Sequence, residues 1–116
     1  MKESEWQDDV IALAKLNGFT VAHFRPVRVQ RRDGSVYYCT PVQGDGAGFP
    51  DLLMIRGERM LVAELKVGYN KPSLEQSAWL DAFRAAGVEA YVWYPKDWDE
   101  VQGKLERYGK EIKEVH

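Results

Sequence analysis

Two carboxylates and a lysine bracket a pair of short apolar runs near the middle of the chain. Asp51 comes directly before the run LLMI, Glu64 comes directly after the run MLVA, and Lys66 follows two residues later. A buried charge is costly unless it is paired or coordinated, so acids at the ends of two apolar runs need a compensating partner. Because Mg²⁺ and Mn²⁺ prefer carboxylate oxygens as ligands, this arrangement indicates a divalent-metal site.

The spacing of these residues predicts a β-hairpin that brings the two acids face to face. A two-residue turn at Gly57-Glu58, with glycine first, suits a type II′ geometry and places Asp51 directly opposite Glu64. In that register the two acids form a non-hydrogen-bonded pair with Cα atoms about 4.5 Å apart. Lys66 falls on the same face as Glu64, because side chains repeat with period two along a strand. Two like charges directly opposite each other destabilise a sheet. A cation bound between the two carboxylates would turn this repulsion into a net attraction.

A metal held in this way can activate water and neutralise charge that develops on a phosphate. Lys66 could then orient the attacking water or stabilise the transition state, and the carbonyl of Leu65 could add a neutral oxygen ligand. The plainer interpretation is that Asp51 caps a turn and Glu64 pairs with Lys66 at a strand end. Short acidic patterns are common in proteins, so this interpretation stays open for the motif by itself.

Length and composition limit the class of protein. The 116 residues, with 45% hydrophobic content and four tryptophans, predict one folded domain over residues 1–116. No apolar run approaches the roughly 20 residues that span a bilayer, and the polar, acidic start MKESEWQDD is not a secretory signal. A single cysteine, Cys39, excludes an intramolecular disulfide framework and a cysteine-based zinc site. These features predict a protein of the cytoplasm.

Basic residues are concentrated in one segment. The net charge of −2 argues weakly against a dedicated nucleic-acid binder, which is usually basic. However, residues 25–32 contain four arginines and no acid: Arg25, Arg28, Arg31 and Arg32. They predict either a surface that binds DNA phosphates or a solvated hairpin edge, since charged edges deter aggregation.

The elements around the hairpin follow from periodicity and from turn residues. Helical spacing over residues 3–16 with a stop at Asn17-Gly18 predicts a first helix. A strand over residues 19–24 and an arginine-rich hairpin over residues 25–39, turning at Asp33-Gly34, should follow. After the central hairpin we expect a helix over residues 73–86 capped by Gly87, a strand over residues 88–94 and a helix over residues 97–108. This order predicts an α/β fold with a mixed sheet flanked by helices.

The residues of the predicted metal site resemble a known family. Pro50-Asp51 followed by Glu64-Leu65-Lys66 matches the signature of PD-(D/E)XK nucleases. The wider sequence resembles the VRR-NUC branch, especially its small stand-alone members from phages and prophages. The matching motifs are E-x-E-W-Q, G-F-P-D, A-E-L-K, S-L-E-Q-x-x-W-L-x-x-F and A-G-V-E-A-Y-V-W-Y-P-K-D-W. The resemblance covers nearly the whole chain and implies a restriction-endonuclease-like core.

The same resemblance implies roles for individual residues. Asp51 and Glu64 would be metal ligands, and Lys66 would be the catalytic lysine. Glu5 on the first helix would complete the metal site, with Glu3 as the rival for that position, because helical spacing does not separate them. A solvated role for Glu5 in the first turn of a helix is the alternative.

Gln76 resembles the glutamine that follows the ExK strand in this family and lies near the active site. It also fits the N3 position of a capping box that begins at Ser73. The two roles are compatible, because a helix start that points at the site would also favour a phosphate.

Taken with the resemblance, these residues predict a DNA endonuclease dependent on Mg²⁺ or Mn²⁺ that acts in a bacterial host cell or its phage. Small VRR-NUC proteins are similar in architecture to archaeal-type Holliday junction resolvases, which implies branched DNA as substrate and a homodimer with two sites. A non-specific or nicking endonuclease is the alternative within nucleases. A non-catalytic DNA-binding or assembly module, or a structural protein whose acids form salt bridges, is the alternative from another class.

Overall fold

The computed structural model describes residues 1–24, 27–39 and 47–106. The helices are α1 (Glu3–Leu16), α2 (Leu74–Ala85) and α3 (Trp98–Leu105). The strands are β1 (Thr20–His23), β2 (Val27–Gln30), β3 (Val36–Cys39), β4 (Leu52–Arg56), β5 (Arg59–Leu65) and β6 (Glu89–Trp93). A short 3-10 turn over Pro95–Asp97 precedes α3.

Four of the strands form one mixed sheet in the order β1-β4-β5-β6. Strands β1, β4 and β5 are antiparallel neighbours, whereas β5 and β6 are parallel and are connected through α2. A parallel pair needs such a crossover connection, and a helix usually provides it. The predicted α/β fold with a mixed sheet flanked by helices is therefore confirmed.

The two faces of the sheet bury different helices. Leu61, Ala63 and Leu65 of β5 belong to the large apolar cluster that includes residues of α1 and α3. Val62 belongs to a smaller cluster with Leu80 of α2. Since side chains alternate along a strand, the even-numbered residues of β5 face α2.

The register of the central hairpin is the predicted one. Arg56 pairs with Arg59, and Leu52 pairs with Ala63. Gly57 has φ of 60°, and every residue with positive φ in the described ranges is a glycine. A positive φ at the first turn position alone is the type II′ geometry. The paired residues end at Leu52 and Ala63, and Asp51 and Glu64 are the next residues outward from this pair.

The arginine-rich hairpin forms, but it is not part of the mixed sheet. Strands β2 and β3 make a separate two-stranded sheet in which Gln30 pairs with Val36. The carboxylate of Asp33 accepts hydrogen bonds from the backbone N–H and the hydroxyl of Ser35, at 2.9 and 2.6 Å. This is the turn that the sequence predicts at Asp33-Gly34.

The helices begin and end close to their predicted limits. α1 matches its predicted range, and α2 begins after Ser73, whose hydroxyl accepts from the backbone N–H of Gln76. α3 is shorter than the predicted 97–108, because it ends at Leu105 and Glu106 is no longer helical, with φ of −58° and ψ of 129°. Residues 107 and 108 lie outside the described ranges. No helix in the described part of the chain is long and apolar enough to cross a membrane.

Candidate functional site

Glu64 is the buried carboxylate of the site, with 1% of its surface exposed. Its Oε1 accepts a hydrogen bond from Nε2 of Gln76 at 3.0 Å and lies 3.8 Å from Nζ of Lys66. Its other oxygen, Oε2, is buried without a hydrogen-bond partner in this structure. A buried acceptor left unsatisfied costs free energy, so one side of Glu64 is held in place and the other is free to bind a cation.

Asp51 is fixed beside this carboxylate by two hydrogen bonds. Its Oδ2 accepts from the backbone N–H of Leu65 at 2.8 Å, and its backbone carbonyl accepts from the N–H of Phe24 at 2.8 Å. The residue therefore ties the end of β1 to the end of β5, just before β4 begins. The bond to Leu65 uses one of the two oxygens of Asp51.

The carbonyl of Leu65 lies on the same side of β5 as Asp51. The N–H and C=O groups of one strand residue point to the same neighbouring strand, and the N–H of Leu65 points at Asp51. The next N–H, that of Lys66, points the other way and donates to the carbonyl of Trp93 at 3.1 Å. This alternation places three oxygen donors at one strand end, from Asp51, Glu64 and Leu65.

The charges of the two acids oppose each other. Burial, followed by the negative charge of Asp51, raises the pKa of Glu64 to about 9, and Lys66 opposes this rise. When both acids are ionised neither can donate a hydrogen bond, but a protonated Glu64 can donate to Asp51. A proton on Glu64 or a cation between the two acids would each relieve this repulsion.

The structure brings Glu3, rather than Glu5, towards this cluster. Glu3 has an exposed surface, but surrounding protein atoms partly desolvate its carboxyl group. This desolvation and then the charge of Asp51 raise the pKa of Glu3, while the charge of Lys66 lowers it. The start of α1 is anchored by Trp6, whose Nε1 donates to the carbonyl of Trp93 at 3.0 Å. Residues two apart on a helix point about 200° away from each other, so the exposed Glu5 points elsewhere. The ligand role expected for Glu5 stays a prediction, and the arrangement favours Glu3.

Gln76 occupies both of its expected positions. It is the N3 residue of a capping box. The side-chain Oε1 of Gln76 accepts from the backbone N–H of Ser73 at 2.8 Å, and the hydroxyl of Ser73 accepts from the backbone N–H of Gln76 at 3.1 Å. With Oε1 held by Ser73, the amide directs Nε2, its donor, at Glu64. The cap thus sets the orientation of the hydrogen bond that reaches the buried carboxylate.

Gly48 is a positioning residue that sequence reasoning did not identify. It has φ of 82°, and a Cβ there would lie 2.5 Å from the carbonyl carbon of Glu75 and 2.6 Å from the backbone nitrogen of Gln76. The loop before Asp51 therefore touches the backbone of the first turn of α2. The only signal in the sequence was the glycine of the G-F-P-D motif.

Aromatic packing holds the same loop from the other side. Phe49 makes edge-to-face contacts with Phe24 and Trp79, with ring centroids 4.9 and 5.0 Å apart. Pro50, the next residue, is buried. Such pairs contribute about 0.5–1.5 kcal/mol beyond the area they bury, so the segment that carries Asp51 is held between β1 and α2.

The arginines predicted to bind DNA are only partly described. Arg31 lies over the ring of Tyr37 at 4.1 Å and contacts the hydroxyl of Ser35 at 3.5 Å, and Arg32 is exposed. Arg25 and the side chain of Arg28 lie outside the described residues. The DNA-binding role of all four stays a prediction.

The donors at the end of β5 suit a hard cation. No group of three or more histidine, cysteine, aspartate or glutamate residues is arranged to hold a metal within residues 1–24, 27–39 and 47–106. Mg²⁺, however, typically uses only one or two protein carboxylates and completes its shell with waters and substrate phosphate oxygens. Asp51, Glu64 and the carbonyl of Leu65 meet that requirement, and the unsatisfied Oε2 of Glu64 supplies a free lone pair.

Comparisons with models of protein families, with curated proteins and with solved structures each found no match to this chain. Its function must therefore be inferred from the chemistry of Asp51, Glu64 and Lys66 and from the elements that hold them.

Proposed function

We propose that this protein is a DNA endonuclease that uses Mg²⁺ or Mn²⁺ to hydrolyse phosphodiester bonds, with a PD-(D/E)XK core of the VRR-NUC type. One observation carries the proposal. Glu64 is buried, directed at Asp51 and left with an unsatisfied oxygen, although Lys66 is close by. If Glu64 served only to form a salt bridge with Lys66, both of its oxygens should be paired. A cation between Asp51 and Glu64 would remove the repulsion between the two carboxylates and would also give Oε2 a partner.

Each of these residues has a separate proposed role in metal binding, transition-state stabilisation or positioning. Asp51, Glu64 and the Leu65 carbonyl hold the cation, which supplies Lewis-acid stabilisation of charge on the phosphate when it is bound. Lys66 lies within 4 Å of Glu64 and can donate a hydrogen bond to the attacking water or to a phosphate oxygen. Gln76 keeps the carboxylate of Glu64 in one orientation by donating to Oε1.

The proposed substrate is branched DNA, and the proposed assembly is a homodimer. A branched substrate needs two symmetric cuts, and a two-fold dimer would supply two such sites from a short chain. The dimer would also present two arginine-rich hairpins, which would offset a net charge of −2 per chain with local basic surfaces. Resemblance to small VRR-NUC proteins supports this choice over a non-specific or nicking enzyme.

The test compares a labelled four-way DNA junction with a linear duplex of the same sequence. Each is incubated with the protein and Mg²⁺, Mn²⁺ or a chelator, beside the near-isosteric variants Asp51→Asn and Glu64→Gln. Asp9→Asn is the matched control, because it removes an exposed carboxylate of α1. We expect paired cuts in the junction that need the metal and that Asp9→Asn retains.

Different outcomes test junction selectivity, nuclease activity and a purely structural role of the acids separately. Equal cutting of junction and duplex would retain the nuclease and exclude junction selectivity. Binding of DNA that ignores the chelator, with no cutting in any metal, would replace the enzyme by a non-catalytic binding module. If Asp51→Asn changes only stability, the acids are structural.

A further inference from the structure

A groove opens just past the carboxyl ends of the parallel strands β5 and β6. Its volume is about 340 Å³. It is lined by Met1, Val67, Gly68, Tyr94, Pro95 and Lys96. Val67 directly follows Lys66, so the groove begins where the proposed catalytic residues end. In open α/β sheets, ligands bind outside the carboxyl ends of the strands, and this groove has that position.

The two loops that form the walls are tied together. The hydroxyl of Tyr94 donates to the backbone carbonyl of Asn70 at 2.6 Å, which joins the loop after β6 to the loop after β5. The backbone N–H of Tyr94 donates to the carboxylate of Asp97 at 2.9 Å and fixes the turn before α3. The walls of the groove are therefore held by hydrogen bonds within the fold.

The residues that line the groove and those that follow them in the chain include an exposed aromatic ring and exposed lysines. Tyr69, next to Gly68, is fully exposed at 101% of its reference area, the highest value among the large hydrophobic side chains that the structure describes. Lys96 is exposed and its Nζ lies 5.2 Å from the ring centre of Tyr94. Lys71, three residues after Gly68 in the chain, is also exposed, and Lys66 directly precedes the lining residue Val67. Stacking rings beside lysines are typical of surfaces that track a single nucleic-acid strand.

We propose that this groove binds an unpaired segment of the DNA strand next to the phosphate that is cut. A base stacks on Tyr69, and a backbone phosphate lies at Lys96. The strand is unpaired because bases within a duplex are already stacked on each other, and a splayed base offers its face to an aromatic side chain. The proposal rests on the proposed nuclease function, since Lys66 of the proposed active site directly precedes the lining residue Val67, and it adds an unpaired arm to the description of the substrate.

The test measures binding with a chelator present, so that no cleavage intervenes. Fluorescence anisotropy is recorded for a labelled single-stranded oligonucleotide, the matched duplex, and that duplex with an unpaired arm. Tyr69→Ala and Lys96→Ala should each weaken binding of the single strand and of the armed duplex by about tenfold. Tyr69→Trp should restore it, and Lys96→Ala should lower the slope of log Kd against log salt concentration by about 0.7.

Matched controls lie at the other end of α1. Lys15→Ala removes an exposed lysine, and Leu16→Ala removes a side chain that is 83% exposed. Because a helix of 14 residues is about 20 Å long, both are far from Met1 and the groove. Both Tyr69 and Lys96 are exposed, so thermal unfolding should be the same in all variants.

The groove and the enzyme can fail separately. If Tyr69→Ala and Lys96→Ala bind every probe as the controls do, while the junction is still cut with Mg²⁺, the groove assignment is wrong and the nuclease stands. If Tyr69→Ala and Lys96→Ala weaken binding of the duplex without an arm as much as binding of the single strand, the proposal that the groove binds an unpaired strand is wrong. If both variants lose single-strand binding but the wild type cuts nothing in any metal, the proposed nuclease fails and the groove remains a strand-binding surface.

Discussion

Glu64 is placed where its charge costs stability unless something compensates it. The hydrogen bond from Gln76 and the ion pair with Lys66 both reach Oε1, and neither reaches the buried Oε2. Burial and Asp51 therefore keep its pKa high. If the proposed metal site is correct, this carboxylate lowers the free energy of unfolding without metal and raises it with metal, and titration distinguishes the two states.

We expect the metal-free protein to lose stability as the pH rises from about 5 to about 9. The folded pKa of Glu64 is about 9, against a reference value of 4.5. In this range the unfolded chain has released the proton that the folded chain retains, so the free energy of unfolding falls with rising pH. Each unit by which the pKa is raised corresponds to at most about 1.4 kcal/mol. Urea denaturation with a chelator at pH 5, 7 and 9 measures the effect.

The Glu64→Gln variant should have a flatter stability profile, because it has no carboxyl group to titrate, and Asp9→Asn should behave like the wild type. Adding Mg²⁺ should raise the melting temperature of the wild type most at high pH, where the ionised ligand is favoured. Identical profiles for the wild type and Glu64→Gln would contradict the raised pKa.

Glu3 and Glu5 form a matched pair of variants. We expect Glu3→Gln to reduce the rate of metal-dependent cleavage several-fold, because the field of Asp51 and Lys66 reaches Glu3. Glu5→Gln, which changes an exposed acid on the opposite side of the same helical turn, should leave the rate within about twofold. Cleavage rates at saturating Mg²⁺ measure this, and a larger loss with Glu5→Gln would restore the role that the family resemblance implies.

At the scale of elements, local signals predict most of the fold. The limits of α1, the capping box at Ser73 and the register of the β4–β5 hairpin depend on neighbouring residues, and each is found as expected. The orientation of α1 depends instead on Trp6 and Trp93, which are 87 positions apart in the chain. For that reason the sequence does not separate Glu3 from Glu5. Nor does the sequence predict that β2 and β3 form a separate two-stranded sheet, because their strand patterns would equally suit pairing with the mixed sheet.

The close approach of Gly48 to α2 is a contact between elements that leaves no side-chain signal. We expect Gly48→Ala to be strongly destabilising, because the new Cβ would clash with the backbone of Glu75 and Gln76. Gly34→Ala is the matched control: its φ is 90° and nothing lies within 4 Å of a Cβ there, so it carries only the left-handed strain of about 1–2 kcal/mol. The difference in free energy of unfolding between the two variants, from urea denaturation, measures the contact. Equal losses would mean that the loop moves away from α2 at little cost.

For the whole molecule, charge distribution matters more than net charge. The chain carries −2 overall, yet its arginine-rich hairpin is a separate two-stranded sheet. The carboxylates that would bind a metal lie on the mixed sheet instead, at β5 and just before β4. A basic surface and an acidic cluster on different sheets can contribute separately to binding and to catalysis.

This separation predicts the effect of removing the exposed arginine of the hairpin turn. We expect Arg32→Ala to weaken duplex DNA binding at every sequence and to lower the slope of log Kd against log salt concentration by about 0.9, as for one lost phosphate contact. The cleavage rate at saturating DNA should not change, because the residue is on the other sheet. Lys15→Ala, the same charge loss at another exposed position, is the control, and anisotropy at several salt concentrations is the measurement. If the two variants lose the same small amount of affinity, the hairpin is a solvated edge whose charges deter aggregation.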